Sequence, residues 1–285
     1  MLIVVTGATG TVGSKVIEEL SRKDVKIRAL VRDEAKARRF GWTNVEIVKG
    51  DLANERGLET AFAGADKLFL ASGSAQNQAE LQGNAVVAAK RAGIKQIVKL
   101  SVLGASATSP VKLARWHFQS DEEIRRSGIA YTILQPTFFI DNLLGYADTI
   151  KKDGAFYAPM KNGRASMVDA RDIAAVAVTA LTERGHEGKT YEITGPEAVS
   201  YTDIAETLGK ELGRKVTYVD VPPETAKKTM LQMGMPDWYV EDMLKLSEFF
   251  ASGGGEKVAP TVEKLTGHQG HTVDEFVKDH VSAYK

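Results

Sequence analysis

Val4-Val5-Thr6-Gly7-Ala8-Thr9-Gly10-Thr11-Val12-Gly13 places three glycines, spaced G-x-x-G-x-x-G, where an apolar run gives way to a helical pattern. Leu2–Val5 is β-branched and apolar, and Thr11–Arg22 has helical spacing, so the glycines occupy a strand-to-helix turn. Each has its own physical task there. Gly7 permits the tight turn, Gly10 lets the backbone approach a pyrophosphate, and Gly13 lets the helix lie close on the sheet. The helix start offers free N–H groups and the positive end of its dipole to phosphate, with Thr9, Thr11 and Val12 in the same loop. A glycine-rich turn without a ligand is the plainer alternative.

Outward from this turn the two periodicities keep alternating. Short apolar runs at Lys26–Val31, Val45–Val48, Lys67–Leu70, Gln96–Leu100 and Ala130–Leu134 are separated by helical spacing at Glu34–Arg39, Glu55–Phe62, Ala79–Arg91 and Val111–Arg126. Near-continuous apolar strands alternating with helices predict an α/β fold, a Rossmann-like doubly wound parallel sheet with right-handed crossovers. Beyond Pro136 the rhythm breaks, and Pro159, Pro196, Pro222, Pro223, Pro236 and Pro260 punctuate shorter pieces. A helix over Asp169–Leu181 and a strand over Lys189–Ile193 are followed by helices near Thr202–Leu212, Glu224–Met233, Val240–Phe250 and Val273–His280. This predicts an NAD(P)-binding domain over 1–135 and a smaller, mainly helical substrate-binding part over 136–285. Residues 167–195 are expected to pack back on the sheet. Ser252-Gly253-Gly254-Gly255 reads as a surface loop or hinge.

Composition narrows the function. The chain has 285 residues, 43% of them hydrophobic and 26% charged, which suits a folded chain with a large core. Lys and Arg (37) balance Asp and Glu (37), which argues against a nucleic-acid partner. The absence of cysteine excludes disulfides, thiolate metal sites and cysteine nucleophiles. The apolar start is too short for a signal peptide or a membrane span, so a cytoplasmic protein without a membrane partner is expected. An oligomer is compatible with all of this.

The carboxyl ends of the predicted strands should form the ligand crevice. At the end of the second strand stands Leu30-Val31-Arg32-Asp33, with Lys36 one turn on. Arg32 suits a 2′-phosphate, which a guanidinium grips bidentately, so NADP(H) is expected over NAD(H). Asp33 is an ordinary helix N-cap, and Arg32 is otherwise a solvated strand-end residue. Asp51, beside Leu52, either accepts from the adenine amino group or serves as a turn residue. Ala71, Ser72 and Gly73 bring small residues under the adenosine. Ser101 ends the fifth strand as a partner for a substrate oxygen or the nicotinamide carboxamide, or as a turn residue. Phe138, Phe139 and Asn142 follow the sixth strand, where the aromatic rings either wall a flat acceptor or enter the core. The histidines show no metal-ligand spacing with acids, and no metal is expected.

These segments, together with Leu100-Ser101-Val102-Leu103-Gly104-Ala105, Ala114-Arg115-Trp116-His117, Tyr131-Thr132-Ile133-Leu134-Gln135-Pro136 and Met167-Val168-Asp169-Ala170-Arg171-Asp172-Ile173, resemble the NmrA-like atypical short-chain dehydrogenases/reductases. The similarity covers nearly the whole chain. It implies a quinone reductase-like enzyme, similar to type 2 quinone reductases and to azo-dye and triphenylmethane reductases. Members with ordinary dehydrogenase chemistry carry Tyr-x-x-x-Lys on the helix after the fifth strand, where the Lys lowers the Tyr pKa. Val111–Arg126 contains no Tyr, which disfavours alcohol and sugar substrates. Tyr157-Ala158-Pro159-Met160-Lys161 has the spacing, but Pro159 is incompatible with a helix interior.

Hydride transfer to a quinone yields a stabilised hydroquinone anion, so placing the acceptor over the nicotinamide carries most of the catalysis. His117 is the expected proton donor, from an unperturbed pKa of about 6.5. Its alternative is a packing role beside Trp116 and Phe118. Two functions follow: an NAD(P)H-dependent reductase of a small quinone-like acceptor, or a non-catalytic NADP(H)-sensing regulator of the NmrA type.

Overall fold

The computed structural model describes every residue except Arg39. The chain begins with β1 (Leu2–Val5), α1 (Thr11–Leu20), β2 (Lys26–Val31), α2 (Glu34–Arg38), β3 (Val45–Lys49) and α3 (Glu55–Phe62). It continues with β4 (Lys67–Leu70), α4 (Gln78–Arg91), β5 (Gln96–Leu100), α5 (Lys112–Arg126) and β6 (Ala130–Pro136). The predicted helix end at Arg39 lies outside the described residues. After a 3₁₀ turn at Ile140–Tyr146 come α6 (Ala147–Asp153), β7 (Ala155–Ala158), β8 (Arg164–Ala165), α7 (Ala170–Thr182) and β9 (Lys189–Ile193). The remainder is β10 (Val199–Ser200), α8 (Tyr201–Leu212), β11 (Thr217–Asp220), α9 (Pro223–Gln232), α10 (Asp237–Ala251), α11 (Thr261–Thr266) and α12 (Val273–Asp279).

The main sheet has seven parallel strands in the order β3-β2-β1-β4-β5-β6-β9. The chain winds outward from β1 to β3, then crosses back to start β4 on the other side of β1. That reversal opens a crevice at the carboxyl ends of β1 and β4, the place where doubly wound sheets bind ligands. On one face, Val12, Val16, Ile17 and Leu20 of α1 pack with Ile173, Ala177 and Leu181 of α7. On the other, Leu58, Phe62, Ala85, Ala89 and Ile124 of α3, α4 and α5 cover Leu68 and Ile97. The strand β9 pairs with β6 from Thr132↔Lys189 to Pro136↔Ile193, which seats residues 189–193 at the sheet edge.

A separate aromatic cluster, including Phe156, Tyr201, Phe276 and Tyr284, fills the C-terminal half. Here the sequence reading missed α6, α11 and two small sheets, β7 with β11 and β8 with β10. Strands of two to four residues are too short to show alternation. Tyr157 lies on β7 and is 43% exposed, while Lys161 follows in a left-handed conformation at φ 48°. Their motif therefore crosses a strand and a turn and never forms a helical turn. Among the described residues, no helix is long and apolar enough to cross a membrane, and no cluster of three potential ligands is placed to hold a metal ion.

Candidate active site

The turn after β1 is built tightly. Gly7 has φ +61°, and a Cβ there would meet the Ala71 carbonyl oxygen at 3.0 Å. Thr6 pins the ends of β1 and β4 together, its hydroxyl donating to Ala71 O at 2.8 Å and accepting from Ala71 N at 2.9 Å. Gly10 then stands at the start of α1 with no side chain to cap the helix, and the amides of Thr11, Val12 and Gly13 donate to no acceptor among the described residues. Free N–H groups at a helix start form an anion cradle. A Cβ at Gly10 would meet only Gly7 O, at 3.2 Å, so the space before it is open to a ligand.

This turn floors a cleft of about 520 Å³, within the range of small-molecule sites. Gly7, Thr9, Gly10, Thr11, Val12, Gly13, Arg32, Asp51, Leu52, Ala71, Ser72 and Gly73 all line it, joined by Leu100 and Phe139. Arg32 is exposed and makes no ion pair among the described residues. Asp33 caps α2, its Oδ1 accepting from Ala35 N at 2.9 Å, so it does not tie up Arg32. Asp51 lines the cleft and also accepts from Ala53 N at 3.0 Å. Lys36, exposed on α2, is not among the lining residues. A glycine cradle with free amides and an unpaired guanidinium fits the two phosphate sites of NADPH, the bridging pyrophosphate and the 2′-phosphate of the adenosine.

Phe138 packs on Phe250 at 5.3 Å between ring centroids within the C-terminal core, whereas Phe139 faces the cleft. Asn142 is exposed and outside the lining. Ser101 and His117 also stand off the lining, in a buried network one residue beyond Leu100. Lys99, wholly buried, donates from Nζ to Asp121 Oδ1 at 2.5 Å and to His117 O at 3.2 Å, and it lies 3.1 Å from His117 Nδ1. Ser101 Oγ donates to the other carboxylate oxygen, Asp121 Oδ2, at 2.7 Å. Burial and the Lys99 ammonium push the half-buried His117 well below the usual imidazole range. The expectation of an imidazole poised near its unperturbed pKa is therefore corrected. Burial pulls Lys99 down as well, against the opposing pull of Asp121.

Sequence reasoning missed Lys99 and Asp121. One signal was present: Lys99 interrupts the apolar run Ile97-Val98-Lys99-Leu100, and a lysine inside a buried parallel strand needs a partner. Asp121 sits four residues after His117, on the same helix face. Also missed was the start of α5, where buried Asp242 of α10 accepts from Lys112 N at 2.9 Å and Leu113 N at 2.8 Å. Trp116 and Trp238 meet beside it, their ring centroids 5.3 Å apart.

A parallel sheet of this order, with a glycine-floored cleft at its reversal, defines a dinucleotide-binding α/β protein. The model of the NmrA-like family matches residues 1–277, and the chain belongs to that family. It is 41% identical over 283 residues to an NAD(P)H azoreductase of Xenophilus azovorans, covering 99% of each chain. It is similar to an NADPH-dependent quinone oxidoreductase of Escherichia coli solved in complex with NADPH, with a TM-score of 0.88 and 33% identity over 98% of this chain and 99% of that one. A Citrobacter triphenylmethane reductase complexed with NADP(H) superposes with a TM-score of 0.87 and 31% identity, over 97% of this chain and 99% of that one.

Proposed function

We propose that this chain is an NAD(P)H-dependent reductase that passes a hydride to a quinone or a similarly flat, conjugated acceptor. The observation that carries it is a single cleft lined by the glycine cradle, Arg32, Leu100 and Phe139 together. The α1 amides and Gly10 hold the pyrophosphate, and Arg32 selects NADPH through the 2′-phosphate. Lys36 adds long-range positive charge from α2. Asp51, Leu52, Ala71, Ser72 and Gly73 border the adenosine.

NADPH, when bound, supplies the hydride. The chain's own contribution is to align the acceptor and to keep donors near the oxygen that gains charge. Phe139 walls the acceptor, while His117 and Ser101, off the cleft lining, belong to the buried network that follows Leu100. Residues 1–135 hold the cofactor, and 136–285 complete the acceptor site, with Asn142 at its exposed margin. The helix α5 offers no phenol, which suits an acceptor whose reduced form is a stabilised anion.

The relatives described above are reductases, which favours turnover over sensing. Purified protein with NADPH and a panel of quinones, azo dyes and triphenylmethane dyes tests the proposal through nicotinamide absorbance. NADPH oxidation is expected only when an acceptor is present. Tight NADPH binding with no oxidation across the panel would instead support the sensor.

A further inference from the structure

We propose that Lys99 and Asp121 are positioning residues that hold His117 as a neutral imidazole with its proton on Nε2, so that the ring meets the acceptor as a hydrogen-bond donor and not as an acid. The inference deepens the reductase reading and rests on it for the identity of the acceptor. Its geometric core is the surroundings of Lys99 Nζ. Three acceptors lie within 3.2 Å of it: Asp121 Oδ1, the backbone carbonyl of His117, and His117 Nδ1. An ammonium has three N–H groups and no lone pair. The carboxylate and the carbonyl can only accept, so two of those groups are committed to them. The third points at Nδ1, which must therefore present its lone pair. A neutral imidazole with Nδ1 as acceptor carries its single proton on Nε2.

The charges around the pair agree. Asp121 and Arg125, both of α5, act on Lys99, and Lys99 of β5 acts on His117. From α10, Asp242 caps the amides of Lys112 and Leu113, and Glu241 pairs with Lys112 Nζ, so these two charges are engaged at the start of α5, one turn before His117. A second proton on His117 would leave the imidazolium against a buried ammonium with only one carboxylate between them. Asp121 also fixes Ser101: with its hydroxyl hydrogen given to Asp121 Oδ2, Ser101 offers the site lone pairs only.

The chemistry that follows balances without an acid on the protein. Hydride adds to the quinone, its electron pair reduces the ring, and negative charge appears on one oxygen. His117 Nε2–H donates a hydrogen bond to that oxygen and keeps its proton. Solvent supplies the proton that completes the hydroquinone. The buried Lys99 and Asp121 touch neither cofactor nor acceptor and act through His117 and Ser101.

Proton-nitrogen NMR of the histidine rings tests this on the whole protein, with His117→Gln assigning its signals among the five histidines. The wild-type His117 ring is expected to show the Nε2–H tautomer and not to titrate between about pH 5 and 8, where a free imidazole does. In Lys99→Met, and in Lys99→Met/Asp121→Asn should the single variant fail to fold, His117 is expected to titrate at a higher value than in the wild type, because only burial then holds it down. Turnover, flat with pH in the wild type, should then fall about tenfold as pH rises through that value, because the imidazolium present at low pH is the stronger donor. A wild-type ring that titrates near about 6.5, or that carries its proton on Nδ1, overturns the proposal. So does a folded variant whose tautomer and pH profile match the wild type. Should no acceptor be reduced, the ring spectra still decide the position of the proton, and only the reductase reading falls.

Discussion

Gly10 and Gly13 share one turn, yet substitution should separate cofactor binding from stability. Gly10 has φ −86° and ψ 174°, extended backbone that any L residue adopts, and a Cβ there meets only Gly7 O at 3.2 Å. Losing glycine at this N-cap costs less than about 1 kcal/mol. Gly13 differs. A Cβ would stand 2.2 Å from Gly7 O and 2.7 Å from Gly7 C, backbone atoms that cannot swing aside. Relief requires α1 to lift off the turn, against the buried packing of Val16, Ile17 and Leu20 with α7. Overpacking of this kind costs about 1–3 kcal/mol. Alanine recovers about 1 kcal/mol over glycine inside a helix.

The balance for Gly13→Ala is a loss of up to about 2 kcal/mol, or several degrees in Tm at about 2–4 °C per kcal/mol. Gly10→Val should instead keep its Tm within a few degrees and lose at least about tenfold in NADPH affinity, about 1.4 kcal/mol. Thermal unfolding and calorimetric NADPH titration of both variants read the two effects. Wild-type NADPH affinity in a folded Gly10→Val protein would refute the phosphate cradle. A Tm for Gly13→Ala raised above that of the wild type would refute the close approach of α1 to the turn.

Arg32→Ala should weaken NADPH by about 1–3 kcal/mol, the size of a lost charged hydrogen bond, and barely change NADH; equal losses in titrations of both cofactors would exclude Arg32 from the 2′ position. Asp242→Ala leaves the Lys112 and Leu113 amides without an acceptor, so limited proteolysis should cut the α9–α10 segment faster, and an unchanged rate would show that the cap does not hold α10. His271 is raised above the usual imidazole range, first by its hydrogen bond to buried Asp172. Its pairing thus stabilises the fold fully below about pH 6.5 and is lost as pH rises through the folded value. The Tm gap between wild type and His271→Asn should accordingly narrow in alkaline buffer. Tyr157→Phe should leave turnover unchanged, since Tyr157 is exposed on β7; a large fall with cofactor binding intact would move the active site into the C-terminal half.

The cofactor end of the molecule was legible because its signals are local. Buried parallel strands are continuous apolar runs, as in Leu2–Val5 and Lys67–Leu70, and the glycines flag a turn that larger residues cannot make. The capping role of Asp33 follows from its place before α2. Lys36 stands outside the cleft lining; its distance along the helix was legible but its direction was not. The surroundings of α5 resisted for a different reason. His117 was visible on α5, but its protonation is set by Lys99 from a neighbouring strand, through a contact that spans eighteen residues. The cap of α5 comes from Asp242, 130 residues beyond Lys112. No local spacing records such a pairing. The small sheets β7–β11 and β8–β10 also join pieces far apart in the chain, each too short to announce itself.

That distant cap bears on how the molecule is made. A nascent chain that has emerged only through β6 already contains every strand of the main sheet except β9. Its α5 nevertheless begins with two amides that must rely on water until α10 is synthesised. The helix carrying His117 is therefore finished late, by a residue from the last fifth of the chain, well after the cradle around Gly10 can form. Synthesis thus passes through a stage in which the glycine cradle is present while the start of α5 is still uncapped, and ribosome-bound chains arrested before and after Asp242 should differ in the protection of α5 against proteases.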